Sequence, residues 1–290
     1  MRKILILIPV YNDWESFQKL INDINENIND IKDIIFECIV VNDASTISRP
    51  KIIKPKNIKS LKILNMITNK GHARCNALGI RYINSHIKFD NLILMDGDGE
   101  DRPIEIKSLV KEVKKNPNNS VVAKRIKRSE GPFFQFLYLS HKIITYIFTG
   151  RKINFGNYSC LSKSDVKKLS SKSSLWSSYS GTVKKYLINL SEIESIRGLR
   201  YFGPSQMSFY KLLIHSLSII AVFKFQVFFR SILLLLVLFF LNINLNFDIL
   251  VIQILIVIFN LIVLIVSFRE KEDELLKSQD NLKNIEDISH

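Results

Sequence analysis

Residues 91–103 constrain the fold more than any other stretch of this sequence. The stretch begins with an apolar run, residues 92–95, that is short enough to be a buried strand. The run ends in four acidic residues, Asp96, Asp98, Glu100 and Asp101. The glycines between them allow a tight turn of the backbone. An open α/β sheet binds its ligand at the carboxyl ends of its strands, so the stretch predicts a site there. A solvated acidic turn would have the same composition.

The spacing of these acids indicates which ion they suit. Carboxylate oxygens are the hard ligands that Mg²⁺ and Mn²⁺ prefer, and both ions bind diphosphate groups. A calcium loop of the EF-hand type fits poorly, because it needs Gly at its sixth position and Glu at its twelfth. Counted from Asp96, those positions hold Asp101 and Lys107.

Strand and helix patterns alternate through about residue 125, which predicts βαβ units in an α/β fold with a mostly parallel sheet flanked by helices. The expected strands are residues 4–9, 34–41, 61–66, 92–95 and 120–124. The expected helices are residues 17–31, opened by a capping box of Asn12 and Glu15, a helix after Gly71, and residues 104–115. A helix over 133–148, a strand over 155–161 and a helix over 175–190 follow. The dinucleotide fingerprint GxGxxG does not follow the first strand.

The last third of the chain has a membrane-type pattern. Residues 209–229 are apolar with spaced cations, which predicts interfacial amphipathic helices. Residues 231–247 and 249–268 are apolar runs that predict two membrane helices, although a buried helical pair is the alternative. Arg230 and Arg269 flank this hairpin and its turn has no cation, so the positive-inside rule puts both ends in the cytoplasm. We therefore expect a cytoplasmic domain over 1–208, interfacial helices over 209–230, two transmembrane helices over 231–268 and a charged cytoplasmic tail over 269–290.

Charge narrows the class of partner. The 290 residues carry a net charge of +14, and the excess lies in the first 230 residues. Nucleic acid and membrane phosphate are both candidate partners for such a chain. A surface for single-stranded nucleic acid needs aromatic side chains exposed among its cations. The aromatic residues of 133–148 have a membrane-like density instead, so no nucleic-acid partner is expected.

Cysteine and histidine usage points to a reducing compartment without a zinc site. The three cysteines, Cys38, Cys75 and Cys160, are far apart and unpaired in spacing. The histidines form no HxxH or HExxH pattern, so each is expected to be an ordinary packed or surface residue. No charged-then-apolar segment precedes the strand that begins near Lys3, so we expect the amino-terminal domain to stay in the cytoplasm.

Four motifs, taken together in order and spacing, resemble glycosyltransferase family 2 with the GT-A fold. They are Pro9-Val-Tyr-Asn12, Val40-Val-Asn-Asp-Ala-Ser45, Asn69-Lys-Gly71 and Asp96-Gly-Asp98. The basic run over 124–128, the loop over 200–205 and the terminal hairpin resemble the membrane branch of that family. This branch includes dolichyl-phosphate mannose synthases and bacterial polyprenyl-phosphate sugar transferases.

The resemblance implies roles for individual residues in donor binding. Pro9, Tyr11 and Asp13 would line the nucleotide pocket. Asp43 would accept a hydrogen bond from the base. Asp96 would hold the ribose or the metal side, and Asp98 would bind Mg²⁺ or Mn²⁺. Glu100 stands where relatives often have Gln beside the metal.

The same resemblance implies an acceptor side. Arg125, Arg128 and Arg200 would clamp phosphate oxygens. A lipid phosphate is already anionic and needs little base catalysis, whereas a hydroxyl acceptor needs a base, for which Asp101 is the candidate. Asn157 stands where many polyprenyl-phosphate transferases have Asp, and Gln206 where relatives have Lys. Both differences touch the phosphate or acceptor side.

The expected function is thus transfer from a nucleotide-sugar to a polyprenyl phosphate at the inner face of the bacterial cytoplasmic membrane. One alternative keeps the donor and transfers to a hydroxyl of a lipid-linked glycan. Another is a membrane-tethered nucleotide-sugar binder without catalysis. The membrane branch also implies homo-oligomers formed through the membrane helices.

Overall fold

The computed structural model describes residues 1–127, 132–204, 208–245 and 249–288. Its strands are β1 (Arg2–Val10), β2 (Ile34–Asn42), β3 (Ile58–Met66), β4 (Asn91–Leu94), β5 (Ser120–Lys127), β6 (Phe155–Ser162), β7 (Leu190–Ile196) and β8 (Leu282–Asp287). Its helices are α1 (Trp14–Ile28), α2 (His72–His86), α3 (Ile106–Lys115), α4 (Pro132–Thr149), α5 (Lys163–Leu169), α6 (Tyr179–Tyr186), α7 (Phe209–Ala221), α8 (Lys224–Leu245), α9 (Leu250–Ser267) and α10 (Glu272–Leu276).

Across these ranges the eight strands form one mixed sheet in the order β7-β5-β6-β4-β1-β2-β3-β8. The run β4-β1-β2-β3 is parallel, β6 is antiparallel to both of its neighbours, and β8 is antiparallel to β3. The chain places β2 on one side of β1 and β4 on the other. A crevice therefore opens at the carboxyl ends of β1 and β4, where such sheets bind ligands. The predicted α/β fold with a mostly parallel sheet flanked by helices is confirmed.

Helices cover both faces of the sheet, which explains why β1 is a continuous apolar run. Ile4, Ile6 and Ile8 pack with the helices on one face, where the core includes residues of α1 and α3. Leu5 and Leu7 face the opposite core, which includes residues of α2, α5 and α6. All five side chains are fully buried. This central strand therefore fixes the position of the residues that follow it.

Local helix signals were predicted less well than the strands. The capping box of Asn12 and Glu15 is wrong, because Asp13 precedes α1 and makes no side-chain capping bond. Asn12 has a φ of +52° and bonds to the loop after β2 instead. The predicted helix over 175–190 is also wrong. A 3₁₀ turn, Ser173–Trp176, is followed by the shorter α6, for which Ser178 is the N-cap, and Leu190 starts β7.

The predicted apolar hairpin corresponds to α8 and α9, which are long and apolar enough to cross a membrane. Many of their side chains are exposed, as Ile232 (57 %), Phe239 (53 %) and Ile265 (66 %) illustrate. A buried helical pair is thus not what the structure contains. The helix α8 starts at Lys224 and runs without a break past residue 230, so the expected boundary between interfacial and membrane segments lies inside it.

The described part of the charged segment over 269–290 is folded against the α/β domain rather than extended as a free tail. The helix α10 inserts the fully buried Leu275 into the core beside α2. The strand β8 then pairs with β3 from Lys62 to Met66 and extends the sheet. Glu274 of α10 adds a polar contact, because it accepts a hydrogen bond from Nε1 of Trp176 at 2.9 Å. The chain beyond the hairpin is therefore part of the α/β domain.

Candidate functional site

The candidate site is the crevice between the carboxyl ends of β1 and β4. Tyr11, which is 38 % exposed, and Asp13 follow β1. Residues 96–101 follow β4 and form what we call the acidic loop. Pro9 is buried in β1, and a Cβ at Gly97 would lie 2.8 Å from its carbonyl oxygen, so only glycine lets the two segments approach this closely. The sequence therefore brings the first and fourth motifs together at one point.

Asp101 holds the acidic loop from inside. It is 4 % exposed, and its carboxylate accepts a hydrogen bond from the backbone N–H of Asp96 at 3.0 Å. Burial, with a further contribution from the charge of Asp96, raises the pKa of Asp101 to about 8. A general base must reach its substrate and be ionised at the working pH. Asp101 is buried and bonded to the backbone of Asp96, so the geometry gives it a structural contact, and its role as a base stays a prediction.

Two arginines in the loop that follows β7 form ion pairs with the acidic loop. Nη1 of Arg200 donates to Oδ2 of Asp98 at 3.0 Å, and Nη2 of the same side chain pairs with Asp13. Arg197 pairs with Glu100. Burial, with a further contribution from the charge of Asp96, raises the pKa of Asp98 to about 6 despite the nearby arginines. Asp98 and Glu100 therefore each have an arginine as an ion-pair partner.

The backbone locks residues 197–202, which we call the arginine loop, onto the acidic loop. The N–H of Gly198 donates to the carbonyl of Glu100 at 2.8 Å, and the N–H of Tyr201 donates to the carbonyl of Asp98 at 2.9 Å. The ring of Tyr201 covers Gly99, whose φ of +90° and lack of a side chain leave room for it. The two loops thus form a single unit.

A histidine that was expected to be ordinary lies at the site. His72 opens α2, and its Nε2 is 3.2 Å from Oδ1 of Asp96. Asn157 of β6 bonds to the same pair, with its side-chain nitrogen 2.7 Å from Nε2 of His72 and 3.0 Å from Oδ1 of Asp96. Burial alone would raise the pKa of Asp96, but the charge of His72 and its hydrogen bond hold that pKa well below its usual range. Asp96 is therefore ionised and already hydrogen-bonded.

Asp43 joins the second and third motifs. It is 3 % exposed, and its two carboxylate oxygens accept the backbone N–H groups of Lys70 at 2.7 Å and Gly71 at 2.8 Å. These bonds fix the turn that leads into α2 and so orient His72. The geometry gives Asp43 a structural task, and its contact with a base stays a prediction.

The remaining predicted residues lie at differing distances from this centre. Nη2 of Arg125, at the end of β5, is 4.0 Å from Oδ1 of the buried Asp101, and its guanidinium packs over Gly156. Asn157 lies beside Asp96 and directly follows Gly156, so it is near both the acidic loop and Arg125. Arg128 and Gln206 lie outside the described residues. Sequence reasoning missed His72 and Arg197. The position of His72 directly after the third motif, and of Arg197 three residues before Arg200, were the available signals.

The carboxylates fit a metal that arrives with its ligand. Among the residues that the structure describes, no three His, Cys, Asp or Glu side chains converge tightly enough to enclose an ion by themselves. Mg²⁺ is typically held by one or two carboxylates together with substrate phosphates. Asp96, Asp98 and Glu100 supply carboxylates at the crevice, and each is paired with a side chain of basic type, His72, Arg200 and Arg197 respectively. These acids remain the predicted ligands of a divalent ion.

Among known protein families, the one described as Glycosyl transferase family 2 has a sequence model that matches residues 5–177, which is more than half of this chain. A comparison with curated proteins found no match. Among solved structures, mannosyl-3-phosphoglycerate synthase from Rubrobacter xylanophilus is similar with a TM-score of 0.55 and 12 % identity, over 76 % of this chain and 72 % of that one.

A second similar structure is glucosyl-3-phosphoglycerate synthase from Mycobacterium tuberculosis, solved with Mn²⁺, UDP-glucose and phosphoglyceric acid. Its TM-score is 0.51 at 14 % identity, over 78 % of this chain and 80 % of that one. At such low identities, both likenesses establish the fold alone.

Proposed function

The chain belongs to glycosyl transferase family 2, and we propose that it moves a sugar from a nucleotide-sugar to a polyprenyl phosphate at the cytoplasmic face of a membrane. It is an enzyme, a glycosyltransferase with the GT-A fold. One observation carries the finer proposal: an acidic crevice and an exposed apolar hairpin belong to one domain, whose sheet includes chain from both sides of the hairpin.

The donor would bind across the crevice. Pro9 near the end of β1, together with Tyr11 and Asp13 after it, would line the nucleotide pocket. The loop that carries Asp43 would form one side of that pocket. Asp96 would hold the ribose or the metal. The support for this placement is topological, since the crevice is the switch point of the parallel strands.

A divalent ion, Mg²⁺ or Mn²⁺, would be held by Asp96 and Asp98. When bound, it would neutralise charge on the departing nucleoside diphosphate as a Lewis acid. The chemistry of the donor set supports this role, because both side chains are carboxylates and one of them is firmly ionised. The M. tuberculosis synthase contains Mn²⁺ together with its nucleotide-sugar, and we extend that combination to this chain.

Arg200 would change partner when the donor binds. It now pairs with Asp98 and Asp13, which is where the ion and the nucleotide would be held. With Asp98 committed to a divalent ion, the Arg200 guanidinium would be free to bind phosphate oxygens, for which its planar fork is suited. Arg125 would serve the acceptor phosphate from the neighbouring strand, as predicted.

The hairpin would anchor the enzyme in the membrane. The helices α8 and α9 have the required length and apolar composition, and their apolar side chains are largely exposed. Because β8 follows the hairpin and pairs with β3, both ends of the hairpin are attached to the same domain. Two spans return a chain to its starting side, so this arrangement is consistent with a transmembrane hairpin. Arg230 and Arg269 at its ends favour the cytoplasmic side.

The buried Asp101 favours a phosphate acceptor over a hydroxyl. A hydroxyl needs a base to take its proton, and the predicted base is only 4 % exposed, with its carboxylate bonded to the backbone N–H of Asp96. A phosphate oxygen is already anionic, so positioning and cationic groups can supply most of the catalysis. Asn157 contacts Asp96 and follows Gly156, which lies against the guanidinium of Arg125, so its place at the acceptor side stays a prediction.

The test is a transfer screen on the full-length protein purified in detergent. UDP-, GDP-, CDP- and TDP-sugars are each incubated with Mn²⁺ or Mg²⁺, with and without undecaprenyl phosphate. Release of the nucleoside diphosphate that depends on both the metal and the lipid supports the proposal. Release that depends on the metal and ignores the lipid contradicts the acceptor and retains the donor.

A further inference from the structure

The strand that follows the apolar hairpin contacts the loop beside the nucleotide pocket. Residues 42–49, which carry Asp43 and which we call the donor loop, leave the carboxyl end of β2. The neighbouring β3 pairs on its outer side with β8, with Ile63 opposite Glu286. One side chain of β8 therefore lies within reach of the donor loop, although 221 residues separate Glu286 from its partner Asn65 along the chain.

A relay of side-chain amides connects Glu286 to the start of the donor loop. Nδ2 of Asn65 donates to Oε1 of Glu286 at 2.6 Å. Oδ1 of Asn65 in turn accepts a hydrogen bond from Nδ2 of Asn42 at 2.8 Å. Oδ1 of Asn42 then accepts the backbone N–H of Ser45 at 3.0 Å. An amide that donates on one side and accepts on the other is fixed in one orientation, so Glu286 sets the whole relay.

The second oxygen of Glu286 holds the other end of the donor loop. Nη2 of Arg49 donates to Oε2 of Glu286 at 2.5 Å. The same guanidinium lies 5.8 Å from the ring centroid of Trp14, the residue after Asp13. Glu286 thus holds both ends of the loop, at Asn42 through Asn65 and at Arg49 directly. A charge-assisted pair of this kind is stronger than a neutral hydrogen bond.

The middle of the donor loop is held to the nucleotide pocket by Asn12. The backbone N–H of Asn12 donates to Oγ of Ser45 at 2.9 Å, and its Oδ1 accepts the N–H of Thr46 at 2.8 Å. The backbone N–H of Asp43 donates to the carbonyl of Val10 at 2.9 Å. A shift of the loop ends would therefore move Asp43 and the residues after β1 together.

We propose that Glu286 is a positioning residue for recognition of the nucleoside part of the donor, acting through Asn65 and Arg49 on the donor loop. This inference rests on the proposed function, since it takes the pocket beside Asp13 and Asp43 to bind the nucleotide. The strand β8, which follows the hairpin, would thus contribute to substrate recognition. The diphosphate is bound elsewhere, at Asp96, Asp98 and Arg200, and is not affected by the relay.

The experiment compares nucleoside diphosphates with inorganic pyrophosphate as ligands of the full-length protein in detergent with Mn²⁺. Dissociation constants are measured by calorimetry for UDP, GDP, CDP and TDP, and for inorganic pyrophosphate, which lacks a base and a ribose. The variants are Glu286→Ala and the milder Glu286→Gln, which keeps an acceptor for Asn65 but loses the charge that holds Arg49. The matched control is Asp287→Asn, which removes the neighbouring carboxylate, a group that pairs with Lys62 at 3.2 Å.

Glu286→Ala is expected to weaken the preferred nucleoside diphosphate roughly tenfold, as loss of one charge-assisted hydrogen bond would, and to leave pyrophosphate unchanged. Glu286→Gln is expected to show a smaller loss in the same direction, and Asp287→Asn none. Equal losses for nucleotide and pyrophosphate, or no loss in a folded variant, would overturn the inference. If the wild-type protein binds none of the four nucleotides, the proposed function fails as well, so the two failures are distinguishable.

Discussion

Nη1 of Arg200 lies 3.0 Å from Oδ2 of Asp98, and Nη2 of the same guanidinium pairs with Asp13. One side chain thus connects the residues that follow β1 with those that follow β4. Each of these carboxylates is less than one-fifth exposed, so the arginine offsets much of the cost of burying them. In our account it holds the place of the metal ion until the donor brings one.

Replacing Arg200 distinguishes its competition with a metal ion at Asp98 from its proposed binding of phosphate. Arg200→Ala is expected to raise the affinity for Mn²⁺ alone a few-fold, because the competing cation is gone. The same change is expected to lower turnover on the order of a hundredfold, because the phosphate loses its bidentate partner. Arg200→Lys keeps the charge and serves as the control, with Mn²⁺ affinity near that of the wild type. Lower Mn²⁺ affinity in the alanine variant would contradict competition at Asp98.

Asp98→Asn tests the metal site without changing the volume of the side chain. Loss of one carboxylate ligand is expected to reduce metal-dependent turnover about a thousandfold or more, while the near-UV circular dichroism stays unchanged. Asp33→Asn is the control, because Asp33 is an exposed acid that pairs with Lys114 at 2.7 Å. Normal activity of Asp98→Asn over a range of Mn²⁺ concentrations would remove Asp98 from the site.

Asp101→Asn distinguishes a structural acid from a catalytic base. The amide keeps an acceptor for the N–H of Asp96 and resembles the protonated acid, so we expect turnover within about threefold of the wild type. Loss of a general base would instead cost about 10²- to 10⁴-fold. A loss of that size, together with a shifted pH–rate profile, would restore Asp101 as the base.

The same variant has a predictable effect on stability. The folded-state pKa of Asp101, about 8, lies above its ordinary value of 3.8, so the folded protein binds the proton more tightly than the unfolded chain does. Its contribution to stability is present below about pH 4 and is lost as the pH rises to about 8. Asp101→Asn is expected to flatten the pH dependence of the unfolding midpoint over that window. An unchanged slope would mean that Asp101 is ionised in the folded protein.

The hairpin can be removed only if the chain beyond it is kept. Replacing residues 224–268 with a flexible Gly/Ser linker is expected to give a domain that is soluble without detergent and still binds nucleotide. Truncation after Phe223 removes the buried Leu275 and exposes the edge of β3, so this form is expected to unfold at lower temperature and to aggregate. If the linker variant still sediments with membranes, another part of the chain also binds them.

The central strands and the acidic loop were predictable because their signals are local. Residues 92–95 are apolar on both faces of the sheet, and Asp96 follows them directly, so the end of β4 could be assigned from the sequence. The apolar runs of α8 and α9 were predictable for the same reason. Both patterns depend on burial or exposure of consecutive residues rather than on a distant partner.

The positions of β8, His72 and Asn157 depend on contacts between residues far apart in the sequence, which no local sequence pattern indicates. The strand β8 is mostly polar, and its strand conformation depends on pairing with β3. His72 gained its role because α2 starts beside Asp96, which follows from the order of β1, β3 and β4 in the sheet. Asn157 is assigned to the acceptor side by resemblance, and its contact with Asp96 follows from the antiparallel placement of β6 beside β4, which local sequence does not indicate.

The most direct test of the central claim uses two acceptors that differ only in the reacting group. The full-length protein is given Mn²⁺, its preferred radiolabelled nucleotide-sugar, and either undecaprenyl phosphate or undecaprenol, and lipid-extractable label is measured. We predict that label enters the lipid fraction with undecaprenyl phosphate and not with undecaprenol. Equal labelling of both lipids, or labelling of neither while the donor is still hydrolysed, would contradict a lipid-phosphate acceptor.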